Sequence, residues 1–321
     1  MNAQLFSQGF QAAVAEVSRA LVGQREIVEQ VLIAVLARGH VLIEGVPGLG
    51  KTLLVRTLAH VLGASFRRIQ FTPDLMPTDV TGGNIFDAKR GEFVFNAGPV
   101  FTQLLLADEI NRAPAKTQSS LLEAMQDRSV TADGVTRPLP EPFFVIATQN
   151  PIESQGTYPL PEAQLDRFLM KLNVTHPTRE VEEQVLANYL SGFDPSRLEL
   201  LGLRRVLDVP ALTEMQSFLG SVRVERGILS YITDVVARTR AHPSVYLGAS
   251  PRASISLLQS ARARAASEGR DFVIPDDVKA FAAAVLRHRL ILHPDAELEN
   301  ITADNCIDSI LREAKVPQTA A

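Results

Sequence analysis

A glycine-rich segment has the residue types and spacing of a phosphate-binding loop. Residues 45–52 read GVPGLGKT, which fits the pattern G-x-x-x-x-G-K-[ST]. The short apolar run VLIE at 41–44 precedes the loop, and helical periodicity follows it over 53–62. Glycines allow backbone N–H groups to close around phosphate oxygens, and the N-terminus of the next helix adds partial positive charge. We therefore expect Lys51 to reach the β- and γ-phosphates of a nucleotide and Thr52 to hold Mg²⁺ through its hydroxyl.

Two adjacent carboxylates follow a second apolar run. Residues 104–107 read LLLA, and Asp108 and Glu109 come directly after them. In a parallel sheet, the carboxyl ends of the strands form the edge where ligands bind. We expect Asp108 to act on the Mg²⁺ shell and Glu109 to orient the water that attacks the phosphate. The alternative is a pair of solvated charges, and the phosphate loop upstream favours the functional interpretation.

Three further polar residues stand beside predicted strands or helices. Asn150 follows an apolar strand and could reach the γ-phosphate or the attacking water, or it could simply open a turn before Pro151. Arg167 precedes the last predicted strand of the sheet. Arg252 lies in the first turn of a helix, where an anionic ligand would offset the unfavourable helix dipole. A surface salt bridge is the alternative for each arginine, and residue type alone does not exclude it.

Apolar strands and amphipathic helices alternate up to residue 177. Strands separated by helices indicate an α/β fold with a doubly wound parallel sheet that is covered on both faces. Beyond 177, helical periodicity dominates, and Ser250 and Pro251 have the N-cap and first-turn positions of one such helix. We therefore expect an α/β core over 1–177 and a mostly helical domain over 178–321.

Two predicted β-hairpins interrupt this alternation, near 83–98 and 129–140. The first turns close to Gly91, and its second strand places Phe93 and Phe95 on one face because strand side chains alternate. The second hairpin turns at residues 133–134, which read DG. The hairpins either project towards something that the protein contacts or form stabilising flaps whose phenylalanines only pack.

The composition is typical of a soluble globular protein, with 321 residues of which 46% are hydrophobic and 21% charged. Lys and Arg total 32 against 36 Asp and Glu, and the net charge of −4 argues against non-specific nucleic-acid binding. Cys306 is the one cysteine, so we expect no intrachain disulfide and a cytoplasmic location. The N-terminus does not have the features of a signal peptide, and no apolar stretch approaches the ~20 residues of a membrane helix. We therefore expect no membrane insertion.

Together and in this order, these motifs resemble the AAA+ ATPases, and among them the MoxR family. The resemblance implies a five-stranded parallel AAA+ core with β-hairpin insertions, plus a C-terminal α-helical lid. In this family branch the hairpins would project from the core, towards the pore of a ring. The segments that carry the resemblance, within roughly residues 10–315, are LVGQ (21–24), GVPGLGKT (45–52), LLLADEINRAPAKTQSSLLEAMQD (104–127), ATQNP (147–151), YPLPEAQLDRF (158–168) and GASPRA (248–253).

The resemblance also implies a role for each matching position. Asp108 and Glu109 look like Walker B, and Asn150 looks like sensor 1. Arg167 looks like an arginine finger that acts on ATP held by a neighbouring subunit. Arg252 looks like sensor 2, acting within its own subunit or on the next one. The implied nucleotide-binding positions, which are the Walker A loop and the segment near adenine, are Val22, Gly23, Gly45, Val46, Pro47, Gly48, Leu49, Gly50, Lys51, Thr52 and Leu53.

The function that the resemblance implies is ATP hydrolysis with Mg²⁺ by a homo-oligomer, in this family a hexameric ring. Such a ring would act as a chaperone-like remodelling or activation factor for a target protein complex, together with a von Willebrand factor A domain protein. A nucleic-acid motor is one alternative, against which stand the net charge of −4 and the absence of tryptophan. An ATP-gated scaffold that does little mechanical work is the other.

Overall fold

The computed structural model describes residues 1–46, 48–151, 156–195 and 197–317, apart from the side chains at 199 and 200. The α-helices are α1 Ala3–Ser18, α2 Arg25–Leu36, α3 Lys51–Val61, α4 Pro77–Thr81, α5 Ala115–Asp127, α6 Glu162–Leu165, α7 Arg179–Leu190, α8 Val209–Phe218, α9 Arg226–Thr239, α10 Pro251–Ser267, α11 Pro275–Leu286, α12 Pro294–Leu298 and α13 Ala303–Glu313. The β-strands are β1 Val41–Glu44, β2 Phe66–Gln70, β3 Gly82–Asp87, β4 Glu92–Ala97, β5 Leu104–Asp108, β6 Ser129–Ala132, β7 Val135–Pro138, β8 Phe144–Gln149, β9 Met170–Asn173, β10 Val245–Leu247 and β11 Ile291–Leu292.

A five-stranded parallel sheet forms the centre of the N-terminal half, with strand order β2-β5-β8-β1-β9. Alternate residues of β5 enter two different hydrophobic clusters. Leu104 and Leu106 pack on one face of the sheet, whereas Leu105 and Ala107 pack on the other. Both faces are therefore buried, which explains why these strands are continuous apolar runs in the sequence. The predicted doubly wound α/β core is confirmed.

Both predicted hairpins are present as separate two-stranded antiparallel sheets, β3–β4 and β6–β7. Gly91 has the positive φ of 68° that its turn requires, and residues 133 and 134 have φ values of 51° and 75°. Phe93 faces Phe86 across the first hairpin and is 71% exposed. Phe95 instead packs on Phe101 and lies 3.8 Å below the guanidinium of Arg137, which belongs to the second hairpin. The two hairpins therefore contact each other, and Phe93 stays exposed.

Helices dominate the C-terminal half, as expected, with one short antiparallel pair of strands, β10 and β11. Ser250 caps α10, since its hydroxyl accepts a hydrogen bond of 3.2 Å from the backbone N–H of Arg252. The N-terminal helix α1 packs on α10 and α3, and the Ser7 hydroxyl donates to the carbonyl of Ser267 at 2.8 Å. Helix α1, at the N-terminus of the chain, therefore packs on the helical half as well as on α3. The domain boundary at residue 177 stays a prediction. Within the described residues, no helix combines the length and apolar character that crossing a membrane requires.

Candidate nucleotide-binding and hydrolysis site

The loop between β1 and α3 has the backbone geometry of a phosphate cradle. Gly48 and Gly50 have φ values of 87° and 78°, a region that side chains other than glycine rarely adopt. At Gly45, a Cβ atom would lie 2.7 Å from the carbonyl oxygen of Val174, so that position also requires glycine. Helix α3 begins at Lys51, two residues earlier than its hydrophobic periodicity predicts. The predicted role of Pro47 lies outside the described residues.

The side chain of Lys51 extends back towards the first residue of this loop. Its ammonium donates to the carbonyl oxygen of Gly45 at 2.5 Å. Burial lowers the pKa of Lys51, and the negative charges of Asp108, Glu109 and Glu44 oppose that shift. The three carboxylates that act on Lys51 lie at the ends of β1 and β5. Lys51 and the predicted Walker B carboxylates therefore meet at the carboxyl edge of the sheet.

Asp108 is held by residues on the two strands that flank β5. The hydroxyl of Thr148, on β8, donates to one carboxylate oxygen at 2.6 Å. The guanidinium of Arg68, on β2, donates to the other oxygen at 2.7 and 3.1 Å. Arg68 therefore occupies the carboxylate oxygen of Asp108 that faces away from Thr148.

Glu109 leaves β5 in a left-handed conformation, with a φ of 56° that is uncommon for a residue with a side chain. Its backbone N–H donates to the hydroxyl of Thr148 at 2.8 Å, so Thr148 fixes both carboxylate residues. Its side chain accepts hydrogen bonds from Gln70 at 2.7 Å and from Arg112 at 2.9 Å. These two hydrogen bonds fix the orientation of the Glu109 carboxylate.

The remaining predicted residues lie at the end of β8, in the first turn of α3 and in the segment before α2. Asn150 follows β8, between the ends of β1 and β5, and is 6% exposed. Thr52 and Leu53 lie in the first turn of α3, where Leu53 packs against the hydrophobic core. Val22 and Gly23 precede α2, and Val22 is half-buried whereas Gly23 is exposed.

The predicted adenine segment is fixed on two sides. Gly23 has a φ of 74°, and a Cβ atom there would lie 2.6 Å from the side chain of Val181 in α7. The amide of Gln24 donates to the carbonyl oxygen of Leu49 at 3.0 Å. The segment therefore lies between the phosphate loop and α7.

Arg167 and Arg252 do not lie on this edge. They line a cavity of about 370 Å³ together with Gly39 and His40, which precede β1, and Leu169, which precedes β9. The cavity is therefore at the amino ends of the strands, opposite the phosphate loop of the same chain. The guanidinium of Arg252 lies 3.6 Å from the carboxylate of Asp166, the residue before Arg167. The guanidinium of Arg167 has no hydrogen bond or ion pair to the described part of the chain.

The comparisons with known proteins agree with this geometry. Residues 40–170 match the model of the ATPase family associated with various cellular activities (AAA), and residues 237–310 match the AAA lid domain. The chain is 46% identical over 318 residues to Chaperone MoxR1 of Mycobacterium tuberculosis, covering 96% of this chain and 82% of that protein. The chain belongs to the MoxR family of AAA+ ATPases.

Two further proteins match nearly the whole chain. YeaC of Bacillus subtilis, an uncharacterised protein, is 50% identical over 305 residues, covering 95% of this chain and 94% of YeaC. The crystal structure of a Cytophaga hutchinsonii protein, provisionally assigned as an ATPase, superposes with a TM-score of 0.90 at 39% identity. That match covers 98% of this chain and 97% of the other, so the MoxR fold extends over both halves of the molecule.

The residues present fit a nucleotide with Mg²⁺. In the described part of the loop, Gly48 and Gly50 have the positive φ values that allow backbone N–H groups to turn towards a phosphate. The hydroxyl of Thr52 and the carboxylate of Asp108 are the oxygen donors that Mg²⁺ prefers. Lys51 supplies positive charge beside them, at the N-terminus of α3.

Four residues that contact the two carboxylates were not predicted from the sequence: Arg68, Gln70, Arg112 and Thr148. Gln70 lies directly opposite Asp108 in the register of β2 against β5, so only the strand order brings it to the site. Thr148 lies two residues before Asn150, at the end of a predicted strand, and that position was the available signal. Nothing in the sequence around Arg68 distinguishes it from its neighbour Arg67.

Proposed function

We propose that this protein is a Mg²⁺-dependent ATPase that works as a ring of identical subunits and remodels or activates a partner protein complex. The observation that carries the proposal is the division of the catalytic residues between two opposite edges of one sheet. Lys51 and Glu109 lie at the carboxyl edge, and Arg167 lies at the amino edge. A subunit with this arrangement has an incomplete site until a neighbour supplies the arginine.

In the proposed reaction, Glu109 orients the attacking water at the carboxyl edge. Lys51 holds the β- and γ-phosphates, and Asn150 lies where it can contact the γ-phosphate or the water. Mg²⁺, when bound, would neutralise the phosphate charge from its ligands Thr52 and Asp108. Asp108 must exchange Arg68 for this shell, and the side chain of Arg68 is 46% exposed, so water can replace the carboxylate as its partner.

Arg167 completes the site from the adjacent subunit. Among the described residues its guanidinium has no anionic partner. An arginine finger stabilises the negative charge that develops on the γ-phosphate. Arg252 lines the same cavity, so we infer that it also acts on the neighbour's nucleotide rather than on its own. A head-to-tail contact of this kind closes into a ring, and the family suggests six subunits.

The proposed targets are proteins. A relative that is 46% identical is named a chaperone. The partner that the family resemblance implies is a von Willebrand factor A domain protein. The hairpin tip presents Phe86 and Phe93, whose rings pack edge to face while the residues are 59% and 71% exposed. An exposed aromatic pair of this kind suits contact with a polypeptide better than contact with a phosphate backbone. The cytoplasmic location stays a prediction.

Glu109→Gln tests this proposal. The variant keeps the shape of the side chain but not its charge, so ATP binding should be retained while turnover becomes undetectable. With ATP, it should hold its target long enough for recovery from a native lysate. A photoreactive amino acid in place of Phe93 should then crosslink to the target. A von Willebrand factor A domain protein among the recovered partners supports the proposal.

The same preparation separates the alternatives. Co-purifying nucleic acid, or ATPase activity of the unchanged protein that rises with single- or double-stranded DNA, supports the motor instead. Full activation of the target by Glu109→Gln loaded with ATP supports the ATP-gated scaffold, because hydrolysis would then be dispensable.

A further inference from the structure

Arg289 is a buried cation that binds the backbone on both sides of Arg167. Its side chain is 2% exposed, and its Nε donates to the Asp166 carboxylate at 2.6 Å. Its two other nitrogens donate to the carbonyl oxygens of Phe168 at 2.7 Å and Leu169 at 3.2 Å. A further bond of 3.3 Å reaches the carbonyl oxygen of Asp166 itself. Arg289 thus contacts the residue before Arg167 and both residues after it.

Arg289 belongs to the helical half of the molecule. It ends the 3₁₀ turn Arg287–Arg289 that follows α11, and it also donates to the carbonyl of Val285 and to the Ser256 hydroxyl. The second carboxylate oxygen of Asp166 accepts a hydrogen bond of 3.2 Å from the Ser250 hydroxyl. The segment around Arg167 is therefore attached to the helical half by both Asp166 and Arg289.

A guanidinium is well suited to this position. It carries five N–H donors in a rigid plane, so it can hold several backbone carbonyls at fixed angles, whereas a lysine ammonium cannot. Burying a charge is costly unless it is paired and hydrogen-bonded, and Asp166 meets that requirement. A hydrophobic residue would fill the same space without fixing the loop, so the arginine does more than pack.

We propose that Arg289, acting through Asp166 and the flanking carbonyls, is the positioning residue of the Arg167 finger. The proposal rests on the proposed role of Arg167 in the neighbour's site. The side chain of Arg289 is buried and paired with Asp166, so its proposed role is to position Arg167 and not to bind the nucleotide. It fixes the loop so that the Arg167 guanidinium projects from the amino edge in one direction.

Arg289→Met tests the proposal, with Arg287→Met as the matched control. Arg287 lies in the same 3₁₀ turn and makes a comparable ion pair, to Asp304 at 2.9 and 3.0 Å, but its backbone contact is the carbonyl of Lys171. Displacing a catalytic group by about 1 Å costs about 100-fold in rate. We therefore expect Arg289→Met to lower kcat about 100-fold at unchanged KM for ATP, with kcat of Arg287→Met close to that of the unchanged protein.

Mixed assemblies separate a displaced finger from a damaged fold. A Glu109→Gln subunit has an inactive site but an intact finger, so mixing it with Arg289→Met subunits should restore turnover at the sites of the latter. The mixture of Arg167→Ala with Glu109→Gln is the reference for this rescue. Equal turnover of Arg289→Met and Arg287→Met, or a loss that mixing does not restore, overturns the positioning role.

If Arg289→Met does not fold, Arg289→Lys replaces it, with Arg287→Lys as the control. Lysine keeps the charge but loses the planar set of donors. A lower kcat in Arg289→Lys alone supports the proposal, and equal values overturn it.

The variant Arg167→Ala shows which of the two proposals has failed. Normal turnover in Arg167→Ala contradicts the proposed function itself. Impaired turnover in Arg167→Ala together with normal turnover in Arg289→Met contradicts only the positioning role.

Discussion

The two edges of the central sheet hold their charges in different ways. At the carboxyl edge, Asp108 and Glu109 form ion pairs with Arg68 and Arg112, which are 46% and 42% exposed. At the amino edge, the guanidinium of Arg289 is buried and its partners include backbone carbonyls. Exposed pairs exchange partners easily, whereas a buried charge with fixed partners does not.

This difference corresponds to what each edge must do in the proposed reaction. The carboxyl edge has to release its protein partners when nucleotide and Mg²⁺ bind, so weak ion pairs are an advantage there. The amino edge has to present Arg167 to a different subunit in one orientation, so its supports are buried.

Arg167→Ala should give the largest loss. An arginine finger contributes ~10³ to 10⁵ in rate, so we expect turnover to fall at least about 1000-fold while ATP binding is unchanged. Steady-state ATPase assays and binding of a fluorescent ATP analogue measure the two quantities. The control is Arg226→Ala, which removes an exposed arginine at the start of α9. Equal turnover in the two variants would contradict a catalytic role for the amino edge.

His40 should make the amino edge sensitive to acid. The backbone N–H of Val145 donates to its Nδ1 at 3.0 Å, so the neutral ring carries its hydrogen on Nε2, which lies 3.1 Å from the carbonyl of Met125. Burial lowers the pKa of His40 to about 4. The unfolded chain takes up this proton near pH 6.5 but the folded chain does not, so the free energy of unfolding falls between pH 6.5 and about 4.

For this one group, the expected loss is about 2 kcal/mol between pH 7 and pH 5. Urea unfolding at the two pH values measures it. His40→Gln cannot titrate and should lose less stability on acidification, although His288, whose pKa burial also lowers, keeps its own contribution. His176→Gln, at an exposed position, serves as the control. An unchanged pH dependence in His40→Gln would remove His40 from this account.

Arg68→Met should have the smallest effect. Arg68 is 46% exposed although Asp108 is buried, and we expect this pair to contribute about 1 kcal/mol, as pairs open to solvent do. Releasing Asp108 should therefore lower the Mg²⁺ concentration for half-maximal ATP-analogue binding by about 5-fold. The control is Arg67→Met, an exposed neighbour whose side chain points to the other face of β2. If Arg68→Met instead raises the Mg²⁺ requirement, then Arg68 supports the site and does not compete for Asp108.

The amino-acid sequence was sufficient for the residues whose chemistry depends on local spacing. The glycines of the phosphate loop, Asp108 and Glu109 were predicted because each follows a recognisable strand. The positive φ values at Gly91 and at residues 133–134 were predicted from turn chemistry. The start of α3 was misplaced by two residues because Lys51 and Thr52 carry no hydrophobic periodicity.

By itself, then, the sequence determined the α/β core, the helical second half and the positions that would contact phosphate, because hydrophobic periodicity and glycine spacing are local properties. Only the tertiary structure decided which side chains hold the two carboxylates, since Gln70 and Thr148 reach them through strand order. It also decided that Arg167 and Arg252 lie at the edge opposite the phosphate loop, and that the buried Arg289 holds the segment around Arg167. These contacts join residues that are 39 to 123 positions apart in the chain, and no local pattern encodes them.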